Sequence, residues 1–193
     1  TSPEQFTSLS KNLRQRLTET FQPFKGSQPT SFSALQPVKT LDSSDGKTRK
    51  TLFFLPDQRP IEAVLMRYER RRTLCISTQS GCAMRCVFCA TGQMGFGRHL
   101  SSGEIVEQVL YYARSLSLQG EAVTNVVLMG MGEPFHNYAA TLAAIERLSD
   151  PEGMNLGQRR FTISTVGLAP EIRKFAARKS QVNLAISLHA ADD

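Results

Sequence analysis

The segment "TLCISTQSGCAMRCVFC" (residues 73–89) places a group of cysteines directly after a run of residues typical of a β-strand. Cys82, Cys86 and Cys89 are spaced C-x3-C-x2-C and are three of the four cysteines in the chain. Thiols this close together do not resemble a disulfide framework and favour a metal or iron–sulfur site in a reducing compartment. Because such centres usually take four protein ligands, three cysteines predict a coordination position left open for another molecule.

The sequence around this loop predicts an α/β fold. Predicted strands cover residues 73–78, 124–132, 160–167 and 183–190, and predicted helices cover residues 102–117, 138–149 and 169–179. Ser101 and Glu104 form a capping-box pattern at the start of the first helix. The alternation indicates a parallel sheet with right-handed crossovers, open or closed into a barrel. The cysteine loop would then lie at the carboxyl ends of the strands, where α/β folds bind ligands.

The first 72 residues have a different texture. An amphipathic helix is predicted over residues 3–20, with Ser2 as its N-cap, and a linker rich in Pro, Ser and Gln covers residues 22–37. A hairpin that turns at "SSDGK" and a strand over residues 61–68 follow. We therefore expect an accessory region over residues 1–72 and a catalytic core over residues 73–193.

The net charge of +6 is carried entirely by the first 72 residues. They hold 13 Lys and Arg against 7 Asp and Glu, and residues 73–193 hold 10 of each. A run of four arginines, Arg67, Arg70, Arg71 and Arg72, closes the basic part. A one-sided surplus indicates an anionic partner, most plausibly nucleic acid, and solvated surface charge is the alternative.

The ends of the chain suggest that it is a fragment. The strand over residues 183–190 is apolar on both faces, yet only "ADD" follows it, and the first residue is Thr. Soluble proteins avoid an uncovered apolar edge of this kind. No secretory signal is visible, and no apolar run approaches the ~20 residues of a membrane span. We expect a cytoplasmic protein that does not associate with membranes.

Four ordered motifs carry a resemblance to a known family. The three-cysteine pattern with Phe88 before its last cysteine resembles the radical S-adenosylmethionine (radical SAM) superfamily. "TLCISTQSGCAMRCVFCATGQMGFGRHL", "TNVVLMGMGEP", "RFTISTVG" and "NLAISLHA" together resemble its RlmN/Cfr group of RNA methyltransferases, over about residues 47–193. The resemblance implies the first four strands of a partial radical SAM (β/α) barrel behind a small helical and β-stranded accessory region. It also implies a [4Fe–4S] cluster on Cys82, Cys86 and Cys89, with S-adenosylmethionine on the open iron.

Further residues are candidates for binding S-adenosylmethionine. Glu133 follows the glycines of "MGMGEP", where a carboxylate would repel phosphate and suits an ammonium group instead. A tight turn with an exposed Glu is the alternative. The resemblance implies that Gly132 and Glu133 bind the cofactor, and it implies the same role for Ser164, Ser187, Leu188 and His189. Without the resemblance, the last four would read as ordinary polar and apolar residues of a barrel interior.

Two residues are candidates for catalysis. Glu62 is the sole carboxylate in an apolar strand, where burial would raise its pKa and suit it to proton transfer, although strand alternation also allows it to face water. The resemblance implies that Glu62 is the proton acceptor. Cys75, if buried, is by itself an inert apolar residue. The resemblance implies instead a resolving cysteine, which forms a transient disulfide with a methyl-carrying cysteine near the C-terminus of the enzyme.

The implied activity is methylation of adenosine carbon 2 in 23S ribosomal RNA and transfer RNA, with a flavodoxin-like protein as electron donor. No cysteine follows Cys89, so we expect this chain by itself not to methylate RNA. Three alternatives stay open: a Cfr-type methyltransferase of adenosine carbon 8, a radical enzyme with another substrate, and a non-catalytic RNA-binding module. The last would be stabilised by zinc, with Cys75, His99 or another distant residue as fourth ligand.

Overall fold

A computed structural model describes residues 10–20 and 33–189 of the chain. Within this part, the predicted N-terminal helix is present as α1 (Lys11–Thr20), which begins later than predicted, because Ser10 is not helical and its hydroxyl accepts a hydrogen bond from the amide of Leu13. Its predicted N-cap, Ser2, lies outside the described residues, as does most of the predicted linker.

The accessory region contributes an antiparallel meander to the central sheet. β1 (Gln36–Asp42) pairs with β2 (Thr48–Phe54), which pairs with β3 (Pro60–Arg67), which pairs with β4 (Arg72–Cys75). The predicted hairpin turn is confirmed, because the Asp45 carboxylate accepts hydrogen bonds from the Ser43 hydroxyl and the Lys47 amide. The boundary after residue 72 falls within β4, which pairs with β3 in one sheet. The division into two domains at that residue stays a prediction.

A small antiparallel ribbon carries the cysteine loop. β5 (Gln79–Gly81) pairs with β6 (Phe96–His99), and the loop between them includes the short helix α2 (Ala90–Gln93). Gly81 has φ +73°, and a Cβ on it would lie 1.9 Å from the carbonyl oxygen of Gly95. Only glycine fits at this crossing. The sequence did not predict the ribbon, since strands of three and four residues are too short to show an alternating pattern.

The parallel part of the sheet follows the predicted β-α-β order. β4 pairs with β7 (Asn125–Leu128), β7 with β8 (Phe161–Thr165), and β8 with β9 (Asn183–Ile186), which is an edge strand. Between them lie α3 (Ser102–Ser117), α4 (Tyr138–Ser149) and α5 (Ala169–Ala176). The predicted α/β fold class and the bounds of α3 and α4 are confirmed. The strands are shorter than predicted, and α5 ends at Ala176 instead of residue 179.

The helices cover one face of the sheet. Leu74, Val126 and Ile163 point to this face and are fully buried among the apolar side chains of α3 and α4. The neighbours of these residues along each strand point to the opposite face of the sheet, which is less buried. Cys75 and Ser164 lie there. No helix of the described part is long and apolar enough to cross a membrane.

Tyr112 joins α3 to the accessory meander. Its hydroxyl lies 2.9 Å from the Thr51 hydroxyl on β2 and 2.9 Å from the carbonyl oxygen of Ala63 on β3, and its side chain is 1% exposed. Burial raises the pKa of Tyr112 to about 12, so the hydroxyl stays protonated at neutral pH. This contact fixes the meander against the helix layer of the core.

We expect Tyr112→Phe to lower the free energy of unfolding by about 1–2 kcal/mol, because the carbonyl of Ala63 loses a donor and the Thr51 hydroxyl loses its partner without a change in packing. Chemical denaturation followed by circular dichroism measures the change. Tyr111→Phe is the matched control, since the neighbouring ring packs edge-on against Phe53 and no hydrogen bond of its hydroxyl is seen in the described part. An equal loss in both variants would contradict the assigned role of the Tyr112 hydroxyl.

Candidate functional site

The three clustered cysteines lie on one compact turn. The amide of Cys89 donates to the carbonyl of Cys86 (3.1 Å), and the amide of Cys82 donates to the carbonyl of Gly95 (2.9 Å). Gly92 of α2 closes the turn, since a Cβ there would lie 2.9 Å from the backbone nitrogen of Cys86. All three thiols are free and half-buried. The loop therefore presents three sulfur atoms from one short backbone segment.

The electrostatic environment shows that these groups are neighbours. Burial raises the pKa of the Cys82 thiol, and the nearby charges of Cys86, Glu133 and Cys89 raise it further. The amide of Met84 opposes this rise through a hydrogen bond. Cys82 thus lies between the other two cysteines and a carboxylate from the end of β7. A bound cation or cluster would reverse this balance by favouring the thiolate forms.

The donor set fits an iron–sulfur cluster better than a single ion. Among the described residues, no three His, Cys, Asp or Glu side chains are grouped as a single metal ion would require. Thiolates on one zinc ion lie about 4 Å apart, from Zn–S bonds of about 2.3 Å in a tetrahedron. A multi-iron cluster binds each thiolate through a different iron and holds the sulfur atoms further apart. The spacing and the donor type therefore fit a cluster.

Glu133 is buried at the carboxyl end of β7. It is 3% exposed, and its two carboxylate oxygens accept hydrogen bonds from the amides of Phe135 (3.0 Å) and Val166 (2.9 Å). The predicted turn after the strand is confirmed, and the alternative of an exposed Glu is wrong. Each carboxylate oxygen has two lone pairs, so each retains one acceptor position for a cationic ligand. Val166 follows β8, so Glu133 also joins two adjacent strand ends.

Gln79 holds the backbone of Glu133 through a hydrogen bond, and the sequence analysis did not identify it as a site residue. Its side-chain oxygen accepts from the amide of Glu133 (2.9 Å), and its side chain is fully buried. Its NH2 group lies 3.1 Å from Nδ1 of His99 and 3.2 Å from Nδ1 of His136. Gly132 packs on it with φ +100°, and a Cβ there would lie 2.5 Å from the Gln79 Cβ. The available signal was a polar residue at the end of an apolar strand, three positions before Cys82.

The ribbon that carries the cysteines is clamped by Arg98 of β6. Its guanidinium binds Asp57 in the β2–β3 turn (2.7 Å) and Glu104 in the first turn of α3 (2.7 Å). The hydrogen bond from Arg98 lowers the pKa of the Asp57 carboxyl. Glu104 also forms the predicted capping box with Ser101, which is confirmed. One arginine thus fixes the ribbon to both the meander and the helix layer.

Four predicted cofactor residues from β8 and β9 reach the same edge. The hydroxyls of Ser164 and Ser187 lie 2.8 Å apart, and the amide of Ser187 donates to the carbonyl of Thr165 (2.8 Å). Leu188 is 77% exposed, and the His189 ring lies 4.3 Å from the Phe88 ring of the cysteine loop. The structure therefore places the end of β9 against the loop. Their binding roles stay predictions.

Glu62 is half-exposed and not buried, which is the outcome that strand alternation allowed. Its side chain is 40% exposed and forms a 3.0 Å salt bridge with Lys50. Strand alternation explains this position, because Glu62 lies two residues from Val64, which pairs with Cys75 on the less buried face of the sheet. Burial raises the pKa of the Cys75 thiol, and the amide of Met129 opposes the rise. The two predicted catalytic residues thus share one face, and their roles stay predictions.

Comparisons with known proteins agree with this geometry. Residues 76–193 match the sequence model of the Radical SAM superfamily. The chain is 49% identical to the probable dual-specificity RNA methyltransferase RlmN of Chloroflexus aurantiacus, over 98% of this chain and 49% of that protein. It is 56% identical to dual-specificity RNA methyltransferase RlmN 1 of Myxococcus xanthus, over 78% of this chain and 42% of that protein.

A solved structure gives the same result. The crystal structure of a radical SAM methyltransferase from Sphaerobacter thermophilus matches with a TM-score of 0.89 and 46% identity, over 100% of this chain and 54% of that one. The resemblance to the RlmN/Cfr group is confirmed. The chain spans about half the length of the curated relatives that it matches.

We expect Gln79→Met to weaken binding of S-adenosylmethionine by roughly 10- to 100-fold, because Glu133 is then no longer positioned by Gln79 and its carboxylate loses a charged hydrogen bond to the ligand, worth about 1.5–3 kcal/mol. Equilibrium dialysis with the reconstituted protein measures the affinity, and iron content shows whether the cysteine loop stays intact. Gln119→Met, an exposed substitution at the opposite edge of the sheet, is the control. Unchanged affinity in Gln79→Met would show that Gln79 does not position the carboxylate.

Proposed function

We propose, because this chain belongs to the radical SAM superfamily, that Cys82, Cys86 and Cys89 hold the [4Fe–4S] cluster. Membership in the superfamily implies both this cluster and S-adenosylmethionine as cofactors. The single observation that carries the assignment to these residues is their geometry. Three half-buried thiols lie on one turn braced by glycine, with the buried carboxylate of Glu133 beside them. When bound, the two cofactors supply the one-electron chemistry needed to functionalise an unreactive carbon.

The residues at the carboxyl edge are suited to hold and orient S-adenosylmethionine. The carboxylate of Glu133 attracts its ammonium group. Gly132 packs on Gln79 without a side chain, so a binding role of Gly132 would rest on its backbone groups. The paired hydroxyls of Ser164 and Ser187 offer donors and acceptors at the adjacent strand ends. Leu188 and His189 follow Ser187 along the chain, and the His189 ring reaches Phe88 of the cysteine loop. These contacts fix the position of the cofactor relative to the three thiolates.

The substrate is RNA, and the reaction is methylation of adenosine carbon 2. The names of the relatives from Chloroflexus and Myxococcus, at 49% and 56% identity, support an RNA methyltransferase of dual specificity. The two RNA classes are 23S ribosomal RNA and transfer RNA. The basic accessory region over residues 1–72 faces the RNA, and the core over residues 73–193 holds the cofactors. A flavodoxin-like electron donor and a cytoplasmic location complete the proposal.

Glu62 and Cys75 act in the last steps of the reaction, which are proton loss and release of the product. Glu62 lies on the less buried face of the sheet next to Lys50, and there it accepts the proton that the product loses. Cys75 lies on the same face at the end of β4. Its raised pKa keeps the sulfur protonated until a thiolate is required. The thiolate of Cys75 would then attack the sulfur of the methyl-carrying cysteine. The S–S bond forms as the bond from that sulfur to the transferred carbon breaks, and the carbon keeps the electron pair and takes up a proton, which releases the product.

We expect Cys86→Ala to abolish cluster binding, because two thiolates do not hold a cluster that three hold. The brown colour, iron and sulfide content and cleavage of S-adenosylmethionine are measured after anaerobic reconstitution. Cys75→Ala is the matched variant, since Cys75 lies outside the loop and its loss should leave the cluster and the cleavage intact. Bound zinc without iron or sulfide would contradict the proposal and support the zinc-stabilised RNA-binding alternative.

We expect the complete natural protein that carries this sequence to yield 2-methyladenosine in RNA. Enzymatic digestion of treated 23S ribosomal RNA and transfer RNA, followed by mass spectrometry against both isomers, identifies the modified nucleoside. Recovery of 8-methyladenosine would assign the protein to the Cfr-type reaction. Cleavage of S-adenosylmethionine without any methylated nucleoside would favour a radical enzyme with another substrate.

A further inference from the structure

A basic groove lies at the end of the sheet opposite the cysteine loop, beside the start of β4. It has a volume of about 650 Å³ and forms where the β1–β2 turn meets the β3–β4 turn. The two turns are joined by a 2.7 Å hydrogen bond from the amide of Arg67 to the carbonyl of Lys47. Five cationic side chains and one carboxylate line it together with a tyrosine: Lys47, Arg67, Tyr68, Glu69, Arg70, Arg71 and Arg72.

The floor of the groove is a fixed structure. Glu121, from the loop before β7, binds both Arg67 and Arg72. Arg72 also donates to the carbonyl of Tyr68 (2.7 Å), which closes the turn between β3 and β4. These ion pairs leave the guanidinium groups half-buried and ordered. The turn that carries Arg70 and Arg71 is therefore anchored at both of its ends, by Arg67 and Arg72.

The rim of the groove carries cations available to a ligand. Lys47, Arg70 and Arg71 are exposed, and within the described part of the chain none of them lies within 4 Å of a carboxylate oxygen. Asp45 lies next to Lys47 along the turn, but its carboxylate is occupied by hydrogen bonds within the turn. The Arg71 guanidinium lies 5.2 Å from the centre of the Tyr68 ring, which orients its plane.

The groove and the cysteine loop lie at opposite ends of the same strand. β4 begins at Arg72, at the groove, and the chain reaches the cofactor edge at Gln79. Seven residues of extended chain span roughly 20 Å. A single nucleotide at the cofactor edge therefore does not reach the groove. A ligand that occupies both the groove and the cofactor site must be a polyanion large enough to span this distance.

We propose that this groove binds the phosphodiester backbone of the substrate RNA at a point remote from the reacting adenosine. The inference rests on the proposed function and adds a location and a contact type to it. Forked guanidinium groups match phosphate oxygens, and contacts to phosphate position an RNA without reading its sequence. The groove serves both RNA classes for this reason. It anchors RNA by charge, and the cofactor edge selects the adenosine.

The test is the double variant Arg70→Gln/Arg71→Gln in the complete natural protein, with a whole tRNA transcript as the probe. Loss of two phosphate contacts should weaken binding by roughly 10- to 30-fold near 0.15 M salt and reduce the slope of log K against log salt by about 2. Fluorescence anisotropy over a salt series measures both quantities. Cluster content and cleavage of S-adenosylmethionine should equal those of the unmodified protein.

Two further variants separate charge from folding. Arg70→Lys/Arg71→Lys keeps both charges and should retain the salt slope, with a smaller loss of affinity because the forked donors are gone. Arg147→Gln removes an exposed arginine at the end of α4, far from the groove in the sequence, and should leave the affinity unchanged. Equal effects of Arg147→Gln and the double variant would overturn the proposal.

The outcomes for the groove and for the proposed function are distinguishable. Unchanged RNA affinity in the double variant of an enzyme that methylates RNA would overturn the groove and leave the proposed function intact. A protein that binds RNA through the groove but yields no methylated nucleoside would overturn the proposed function instead. In that case the anisotropy data still decide whether the groove binds RNA.

Discussion

Two strand ends that are joined by close backbone hydrogen bonds determine the geometry at the carboxyl ends of the strands. The amides of Thr78 and Gln79 both donate to the carbonyl of Met131, at 2.9 and 3.1 Å. Gly130 fits against them because a Cβ there would lie 2.7 Å from the carbonyl oxygen of Ile76. A side chain at Gly130 would force the segment after β7 away from the segment between β4 and β5. Without this contact, β5 and the end of β7 would not meet, and the cysteine loop and Glu133 would lie on separate surfaces.

The close contact explains why a buried amide lies at the centre of the site. Once the backbones meet, the amide of Glu133 is enclosed and requires an acceptor, which Gln79 supplies. The carboxylate of Glu133 is then oriented by the amides of Phe135 and Val166. A chain of hydrogen bonds therefore runs from the base of the cysteine loop to the end of β8. It orients an anionic group beside three thiols before any cofactor binds.

The sheet also places the candidate catalytic groups and the basic groove at opposite ends of its strands. Its carboxyl edge carries sulfur donors, hydroxyls and a buried carboxylate, and its amino edge carries the basic groove. The less buried face between them holds Glu62 and Cys75. Arg67 and Arg72 of the groove form ion pairs with Glu121, and Arg98 forms ion pairs with Asp57 and Glu104. Partly buried ion pairs thus hold the start of β4 at Arg72 and the ribbon of β5 and β6 at Arg98.

The sequence by itself determined the features that depend on local spacing. It gave the β-α-β order, the bounds of α3 and α4, the capping box at Ser101, and the three cysteines, because helix period and ligand spacing are short-range properties. The tertiary structure alone decided which distant residues meet. Gln79 lies 54 positions from Glu133 and Lys47 lies 23 from Arg70, and only the strand register and the parallel sheet bring each pair together. The exposure of Glu62 was decided in the same way, since alternation permits either face and only the position of the helices determines which face is buried.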